Sequence, residues 1–449
     1  MTSALSSIFK AYDIRGLSPS ELDAPLSRRI GMAFVDYLQA KNIVIGRDMR
    51  DTSPALAAAF IEGARSRGAN VVDIGMVSTD MLYYAVASQG KDGGAMLTAS
   101  HNPKQYNGIK LVRAGAIALS GDAGIKEVRD GALGPEPAAF SGAPGTLSHQ
   151  DVSDAYVAHC LGFIDVKKLR PLRLVLDAGN GMGGPTAERI FGKLPFDRTD
   201  LYFTPDGNFP NHPADPLVEE NRRDIIAAVK AKGADLGIAW DGDADRCFFI
   251  DDTGEFIPGD FVTALLGTMF SRREPGATIV YDVRASRAVA DSVRAAGGNP
   301  VMHRVGHAFM KVRMRELNAV YGGEVSAHYY FRDNWFADNG MIPALLLLEL
   351  VCESGKKLSE LLAPYRAKYF ISGEVNSKVA DVPRALRLLE ERYKDGRVTK
   401  LDGISVDYDS WHFNVRGSNT EPLLRLNLEA FSQSEMEQRR DEVLELIRS

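Results

Sequence analysis

The run DGDADR, Asp241 to Arg246, puts a carboxylate at every second position behind the apolar segment LGIAW. On an extended chain, residues two apart point the same way, so Asp241, Asp243 and Asp245 are expected to bring three carboxylates to one point. Such a cluster repels itself, and a hard cation is its natural partner. Magnesium, which takes oxygen ligands at about 2.0–2.1 Å, suits it. A calcium EF-hand also opens D-x-D-x-D, but it needs Gly at the sixth position and Glu at the twelfth, where this chain has Arg246 and Asp252. It also needs a helix ahead of the loop, where this chain has a strand-like run. A solvated acidic turn is the plain alternative.

A second candidate is TASHNPKQYNGIK, Thr98 to Lys110. Ser100 stands beside His101 on a loop stiffened by Pro103, and Lys110 lies on the apolar run that returns. The serine is open to three readings: nucleophile, phosphate carrier or turn residue. A serine hydrolase would set it in G-x-S-x-G with a triad, and neither flanking glycine is present. A phosphoserine fits better. Its phosphate supplies an oxygen ligand that three carboxylates leave open, and the cation offsets its charge during transfer. Further on, RGSNT offers the Arg416 guanidinium, the Ser418 and Thr420 hydroxyls and the Asn419 amide to a phosphate dianion, although alone it reads as an ordinary turn. In GEVSAH, Glu324 and Ser326 on alternate positions read by themselves as a solvent face, and His328 alone reads as a structural histidine. His307 and Lys311, in RVGHAFMK, divide evenly between sugar contact and structure.

Elements with a common rhythm must hold these loops. IVIGRDMRDTSPALAAAFIEGARSRG, LRLVLDAGNGMGGPTAERIFGKL and ATIVYDVRASRAVADSVRAAGG each pair a buried strand pattern with a helix, the first helix beginning near Ser53-Pro54. Each has a later strand that ends in a polar loop: GAMLTASHNP, ADLGIAWDGDADR and AVYGGEVSAHYY. Three α/β domains of one design follow, repeated on a scale of about a hundred residues. From about Lys368 the pattern changes to a smaller α+β domain, with a helix over Val382 to Lys394 and strands near Ile404 to Asp407 and Trp411 to Val415. The Gly/Pro/Ala-rich stretch 131 to 150 is expected to mark the first boundary.

Composition bounds the rest. A chain of 449 residues with 45% hydrophobic and 25% charged residues is globular and too long for one core. A net charge of −6 argues against a nucleic-acid binder, since no basic surplus exists to meet phosphates along a strand. Cys160, Cys247 and Cys352 form no metal or disulfide spacing, which fits a reducing cytoplasm. The N-terminus carries no signal-peptide pattern. The longest apolar run, Met341 to Cys352, contains Pro343 and Glu349, so a buried helix is expected and no membrane span.

Taken together and in this order, TASHNPKQYNGIK, DGDADR, GEVSAH and RGSNTEP resemble the four signature loops of the α-D-phosphohexomutase superfamily. KAYDIRG and GRDMR match as well, and GGEVSAHYYFRD is similar to the bacterial phosphomannomutase/phosphoglucomutase branch. The resemblance implies three similar α/β domains with mixed sheets and a smaller α+β C-terminal domain around a central active-site cleft. The division expected is 1–147, 148–250, 251–366 and 367–449. It implies that Ser100 is phosphorylated and is a metal ligand with Asp241, Asp243 and Asp245. Arg246 would contact the phosphoserine or the sugar, and Glu324 and Ser326 would hold ring hydroxyls. Arg416, Ser418, Asn419 and Thr420, with Arg425, would clamp the phosphate that is not transferred. Tyr12, Arg15, His101, Lys110 and His328 would surround the reacting oxygens, with Lys110, His328 and Arg15 as candidate acid or base.

Arg284, in VYDVRAS, stands where relatives often carry lysine, and the two side chains grip a sugar differently. GEVSAH in place of GEQSGH argues against an amino sugar. The reaction implied is the interconversion of hexose 1-phosphate and hexose 6-phosphate through a hexose 1,6-bisphosphate, which would also be the activator. One magnesium per chain, a free phosphosugar substrate and a monomer or weak homo-oligomer belong to that expectation. A phosphatase or serine hydrolase using Ser100, or a carbohydrate- or metal-binding protein without activity, are the alternatives.

Overall fold

A computed structural model of the chain describes residues 5–121, 123–417 and 423–448. The chain forms two compact units, Met1–Ile257 with His328–Leu358, and Pro258–Ala327 with Ser359–Ser449.

The first unit holds two sheets. One runs in the order Ile14–Leu17, Tyr106–Arg113, Gly93–Leu97, Asn42–Arg47, Asn70–Met76 and Leu147–His149. The last of these pairs parallel with Asn70–Met76, so the Gly/Pro/Ala-rich stretch ends as an edge strand of the first sheet. The other sheet runs Phe256–Ile257, Cys247–Asp251, Leu236–Trp240, Arg173–Asp177 and Asp197–Leu201. The helix expected near Ser53-Pro54 spans Ser53–Ser66, with its proline in the first turn, where a missing amide costs nothing. It packs on Ala24–Leu38, whose N-cap Asp23 accepts from the Leu26 amide at 2.9 Å. The two helices approach closely through glycine. A Cβ on Gly63 would lie 2.0 Å from Arg28 O, and one on Gly31 would lie 2.3 Å from Phe60 O.

The apolar run near the end of this unit is the helix Met341–Ser354, buried almost all round. Glu349 is tolerated inside it because it accepts from the Asp165 amide at 2.7 Å. No helix among the described residues is long and apolar enough to cross a membrane.

The second unit contains the parallel strands Asn299–His303, Thr278–Asp282 and Tyr321–Gly323. It also contains an antiparallel sheet in the order Phe370–Lys378, Leu423–Ala430, Trp411–Gly417, Ile404–Asp407 and Arg397–Thr399. Here burial follows the pleat. Leu424, Leu426, Leu428 and Ala430 share one core with Trp411, Phe413 and Val415, packed with residues of the helices Val382–Arg392 and Gln433–Arg448.

Three strands lead to the loops of interest: Gly93–Leu97, Leu236–Trp240 and Tyr321–Gly323. Every residue in them is buried. Each runs parallel to the strand that opens its α/β segment, at Asn42–Arg47, Arg173–Asp177 and Thr278–Asp282. Buried parallel strands read as unbroken apolar runs, which is why they were legible in sequence. Their loops leave from the carboxyl ends, where open α/β sheets place their sites.

Candidate active site

In the first unit, Ser100 sits just beyond Gly93–Leu97 with φ of 49°, in the left-handed region, and is only 4% exposed. Its amide donates to Thr98 Oγ1 at 2.9 Å. Its hydroxyl donates to Asp241 Oδ2 at 2.7 Å and lies 3.0 Å from His101 Nδ1. The serine of one sheet is therefore bonded to the acidic loop of another.

Asp241, Asp243 and Asp245 do converge, with ligand oxygens within 4.8 Å of one another. The route differs from the extended zigzag that the alternation predicts. The segment is a tight turn: Ala244 takes φ of 61°, and its amide donates to the Asp241 carbonyl at 3.0 Å. Three carboxylates on a straight strand would be spread along it, and the turn draws the first and last together. Lys110 Nζ donates to Asp243 Oδ2 at 2.6 Å and Asp245 Oδ2 at 2.5 Å, and Arg246 Nε to Asp241 Oδ2 at 2.9 Å. The Thr79 hydroxyl also donates to Asp243 Oδ2, at 2.6 Å.

These neighbours set the electrostatics. Burial pushes the Asp241 carboxyl up, Arg246 pulls it down and the two sister aspartates push it up again, to about 7. Burial would depress the Lys110 ammonium, but Asp243 and Asp245 outweigh it and hold its pKa well above the ordinary value. His101 is driven well below its usual range by burial and then by Arg246, Arg15 and Lys110, so its ring is neutral. Three carboxylates against two cations leave a negative surplus before any phosphate arrives. Asp243 Oδ1 is buried with no hydrogen-bond partner among the described residues. An oxygen-only donor set with an orphaned carboxylate oxygen fits a hard divalent cation.

His328 borders the same loop. Its Nε2 is 3.7 Å from Asp245 Oδ1, its backbone bridges to Arg246, and Asp245, His328 and Asp338 form a second close group. Arg15 Nη1 donates to Asn102 Oδ1 at 2.7 Å, and its other Nη meets Asp13. The strand Ile14–Leu17 pairs Ile14 with Ile109 and Arg15 with Gly108, which brings Arg15 beside Lys110's strand, and half-buried Tyr12 precedes it.

The second unit gathers the remaining described candidates. Arg284 binds Asp282 through Nε and Nη2 at 3.1 and 2.9 Å. Burial opposes its charge, but Asp282 outweighs it and holds the guanidinium protonated. Asp282 also accepts from the Val325 amide at 2.8 Å, which ties the GEVSAH loop to Arg284. Glu324 is 1% exposed and accepts from the Gly306 amide at 2.8 Å, beside the helix His307–Leu317 that starts with His307. Ser326 follows in the same loop. Arg416 and Arg425 face each other across neighbouring strands. Like charges so placed repel, unless an anion lies between them. Glu374 supplies part of one, taking Arg425 Nη1 at 3.1 Å and Arg284 Nη1 at 3.4 Å. The Nε atoms of Arg416 and Arg425 are buried without a hydrogen-bond partner among the described residues. Burial, then Arg284, lowers the Arg416 pKa. Arg284, Arg416 and Arg425 against Asp282 and Glu374 leave a positive surplus that suits an added anion. Ser418, Asn419 and Thr420 lie outside the described residues.

Sequence reasoning gave no role to Arg50, Thr79, Asp282 or Glu374. The GRDMR run drew notice, but nothing in it separates Arg50 from an exposed arginine. Thr79 and Glu374 sit in segments with no chemical spacing.

Comparison with known proteins bears on this geometry. Family models described as phosphoglucomutase/phosphomannomutase alpha/beta/alpha domains I, II and III match residues 6–132, 154–254 and 258–369, and the model of the C-terminal domain matches 374–446. A phosphomannomutase of Salmonella montevideo is 45% identical over 450 residues, covering 98% of this chain and 99% of that protein. A protein named phosphohexose mutases, from Xanthomonas campestris pv. campestris strain B100, is 45% identical with the same coverage of both chains. The crystal structure of a phosphoglucomutase/phosphomannomutase family protein from Burkholderia thailandensis superposes with a TM-score of 0.89 at 36% identity, over 98% of this chain and 97% of that one. Similarity at this level, carried through all four domains, means that the chain belongs to the phosphoglucomutase/phosphomannomutase family.

Proposed function

We propose that this phosphohexomutase interconverts hexose 1-phosphate and hexose 6-phosphate of mannose and glucose, with phospho-Ser100 as the phosphoryl carrier. The observation that carries this is the buried Ser100 hydroxyl bonded to Asp241 inside an acidic triad that also holds Lys110. The phosphoserine P–O bond breaks as a sugar hydroxyl forms its own bond to phosphorus, giving a hexose 1,6-bisphosphate. The hydroxyl proton passes to His328, beside Asp245, and the released serine oxygen keeps the pull of the neighbouring cations. After the bisphosphate turns over, its other phosphate returns to Ser100 and the proton goes back.

Lys110, held protonated by Asp243 and Asp245, presents positive charge to the transferring group. Arg15 and Tyr12 line the approach, Arg246 fixes Asp241, and His101 stays neutral beside Ser100. Asp241, Asp243 and Asp245, with the phosphoserine, would hold one magnesium ion, which offsets the phosphoryl charge when bound. Glu324 and Ser326, with His307 and Arg284, receive the ring hydroxyls. Arg416, Arg425 and the Ser418, Asn419 and Thr420 segment receive the other phosphate.

A four-domain division at 1–147, 148–250, 251–366 and 367–449 belongs to this reading. So do a cytoplasmic monomer or weak homo-oligomer and hexose 1,6-bisphosphate as activator. The hydrolase and binder alternatives find no support in the relatives. Intact-mass analysis should find a phosphoryl adduct mapping to Ser100, absent in Ser100→Ala together with nearly all activity on mannose 1-phosphate and glucose 1-phosphate. An adduct on another residue sinks the assignment.

A further inference from the structure

Arg50 lies beneath the loop that carries Ser100, in the first unit, and is 1% exposed. Its guanidinium uses all of its N–H groups on fixed acceptors. Nη2 donates to the carbonyls of Ser100 and Asn102 at 2.8 and 2.7 Å. Nη1 donates to the carbonyls of Pro103 and Tyr106, both at 3.0 Å. Nε donates to Asp48 Oδ2 at 3.2 Å.

Asp48 is fixed in turn. It accepts from the Arg50 amide at 3.0 Å and the Ser53 hydroxyl at 2.6 Å, and its own amide donates to the Leu97 carbonyl at 2.9 Å. On another side the Phe209 ring lies 5.3 Å from the guanidinium carbon, and a Cβ on Gly207 would come within 2.8 Å of Arg50 Cα. The arginine is packed all round and free to do one thing, which is to hold carbonyls.

The loop needs such a holder. Ser100, Asn102 and Pro103 lie between Gly93–Leu97 and Tyr106–Arg113, outside any sheet ladder, and Tyr106 opens the second strand, so their carbonyls look to Arg50 for donors. Ser100 itself takes a positive φ, which a non-glycine residue keeps only when its surroundings over-determine it. A planar fork with five donors in fixed directions does this, and a lysine ammonium with three rotating donors does not.

We infer that Arg50 is a positioning residue for phosphoryl transfer: it fixes the backbone of the Ser100 loop from behind, and so sets where the phosphoryl group stands relative to the acidic triad. The inference rests on Ser100 being the carrier. It acts on the transfer step and leaves sugar-phosphate binding alone, because no substrate-binding candidate among the described residues touches Arg50. Misplacing a reacting atom by about 1 Å costs on the order of 10²-fold in rate, without a new barrier to binding.

The test compares Arg50→Lys and Arg50→Met with wild type and Ser100→Ala, using magnesium-loaded enzyme and glucose 1-phosphate. Both arginine variants should keep KM within about threefold while kcat falls on the order of 10²-fold. The phosphorus NMR resonance of the phosphoserine should shift or broaden in each. Wild-type kcat in Arg50→Lys, or a raised KM with kcat intact, overturns the inference. Should Arg50→Met fail to fold, Arg50→Lys decides alone; failure of both assigns Arg50 to the fold and overturns it too. An active Ser100→Ala would instead defeat the phosphoserine reading, so the two failures are told apart.

Discussion

Asp243 is held from two sides. Thr79 grips it by hydroxyl to Oδ2 and by amide to the Asp243 carbonyl at 2.9 Å, while Lys110 reaches the same Oδ2. Oδ1 has no hydrogen-bond partner among the described residues and is open to a cation. Asp243→Asn should therefore weaken magnesium binding strongly. Thr79→Val, which touches no ligand, should weaken it about ten- to a hundredfold, the usual cost of losing a partner that orients a metal-binding group. Thr79→Ser should recover most of it. Calorimetric titration of each variant with magnesium chloride measures this, and unchanged affinity in Thr79→Val would remove Thr79 from the site. The contrast marks what sequence can tell. Three aspartates at alternate positions announce themselves. A threonine 164 residues from the aspartate it orients does not, because only the fold joins them.

The segment after the strand Asp197–Leu201 is a loop that packs against the serine and aspartate loops. It presents Phe209 to Arg50 and sets Asp215 within 3.8 Å of Arg246. His212 pins it, with Nε2 3.1 Å from Asp177 Oδ2 and Nδ1 2.9 Å from the Pro213 carbonyl. Two acceptors at two ring nitrogens favour the imidazolium. Burial opposes that charge, but the bond and charge of Asp177 prevail and raise the pKa above its ordinary 6.5. A pKa raised on folding stabilises the folded state fully below the unfolded value, and this stabilisation is lost as pH climbs through the folded one. Between pH 6.5 and pH 8.5 the wild-type melting temperature should thus fall relative to that of His212→Asn. Parallel melting curves across that range would contradict the pairing. Nothing in FPNHPADP foretells this role, since a proline- and asparagine-rich run reads only as a loop. The helix at Val382–Arg392 and the strands at Ile404–Asp407 and Trp411–Gly417 were legible because periodicity is local, and their structure answers to neighbours in sequence.

The chain forms two compact units, and the candidate ligand groups divide between them. The acidic triad lies in the first unit and the arginine cluster in the second. Each ligand should stabilise the unit that binds it. Scanning calorimetry should resolve two transitions, one raised by magnesium and the other by inorganic phosphate. Arg416→Ala should abolish the phosphate effect and spare the magnesium effect. A single transition moved by both would argue against independent unfolding of the two units.

Sequence patterns expose the α/β rhythm, but not which core a segment joins, and His328–Leu358 illustrates this by returning to the first unit after the chain has entered the second. That return also imposes an order on synthesis. The serine loop and the aspartate turn leave the ribosome well before His328, which follows Asp245 by about eighty residues, on the order of 4–16 s of elongation. The nascent first unit must meanwhile wait with the place of Met341–Ser354, its most apolar helix, unfilled. The surface that this helix covers, which includes the strand Cys247–Asp251 and the helix Ser153–Leu161, stays exposed to chaperones, or to other nascent chains, until translation has passed residue 358.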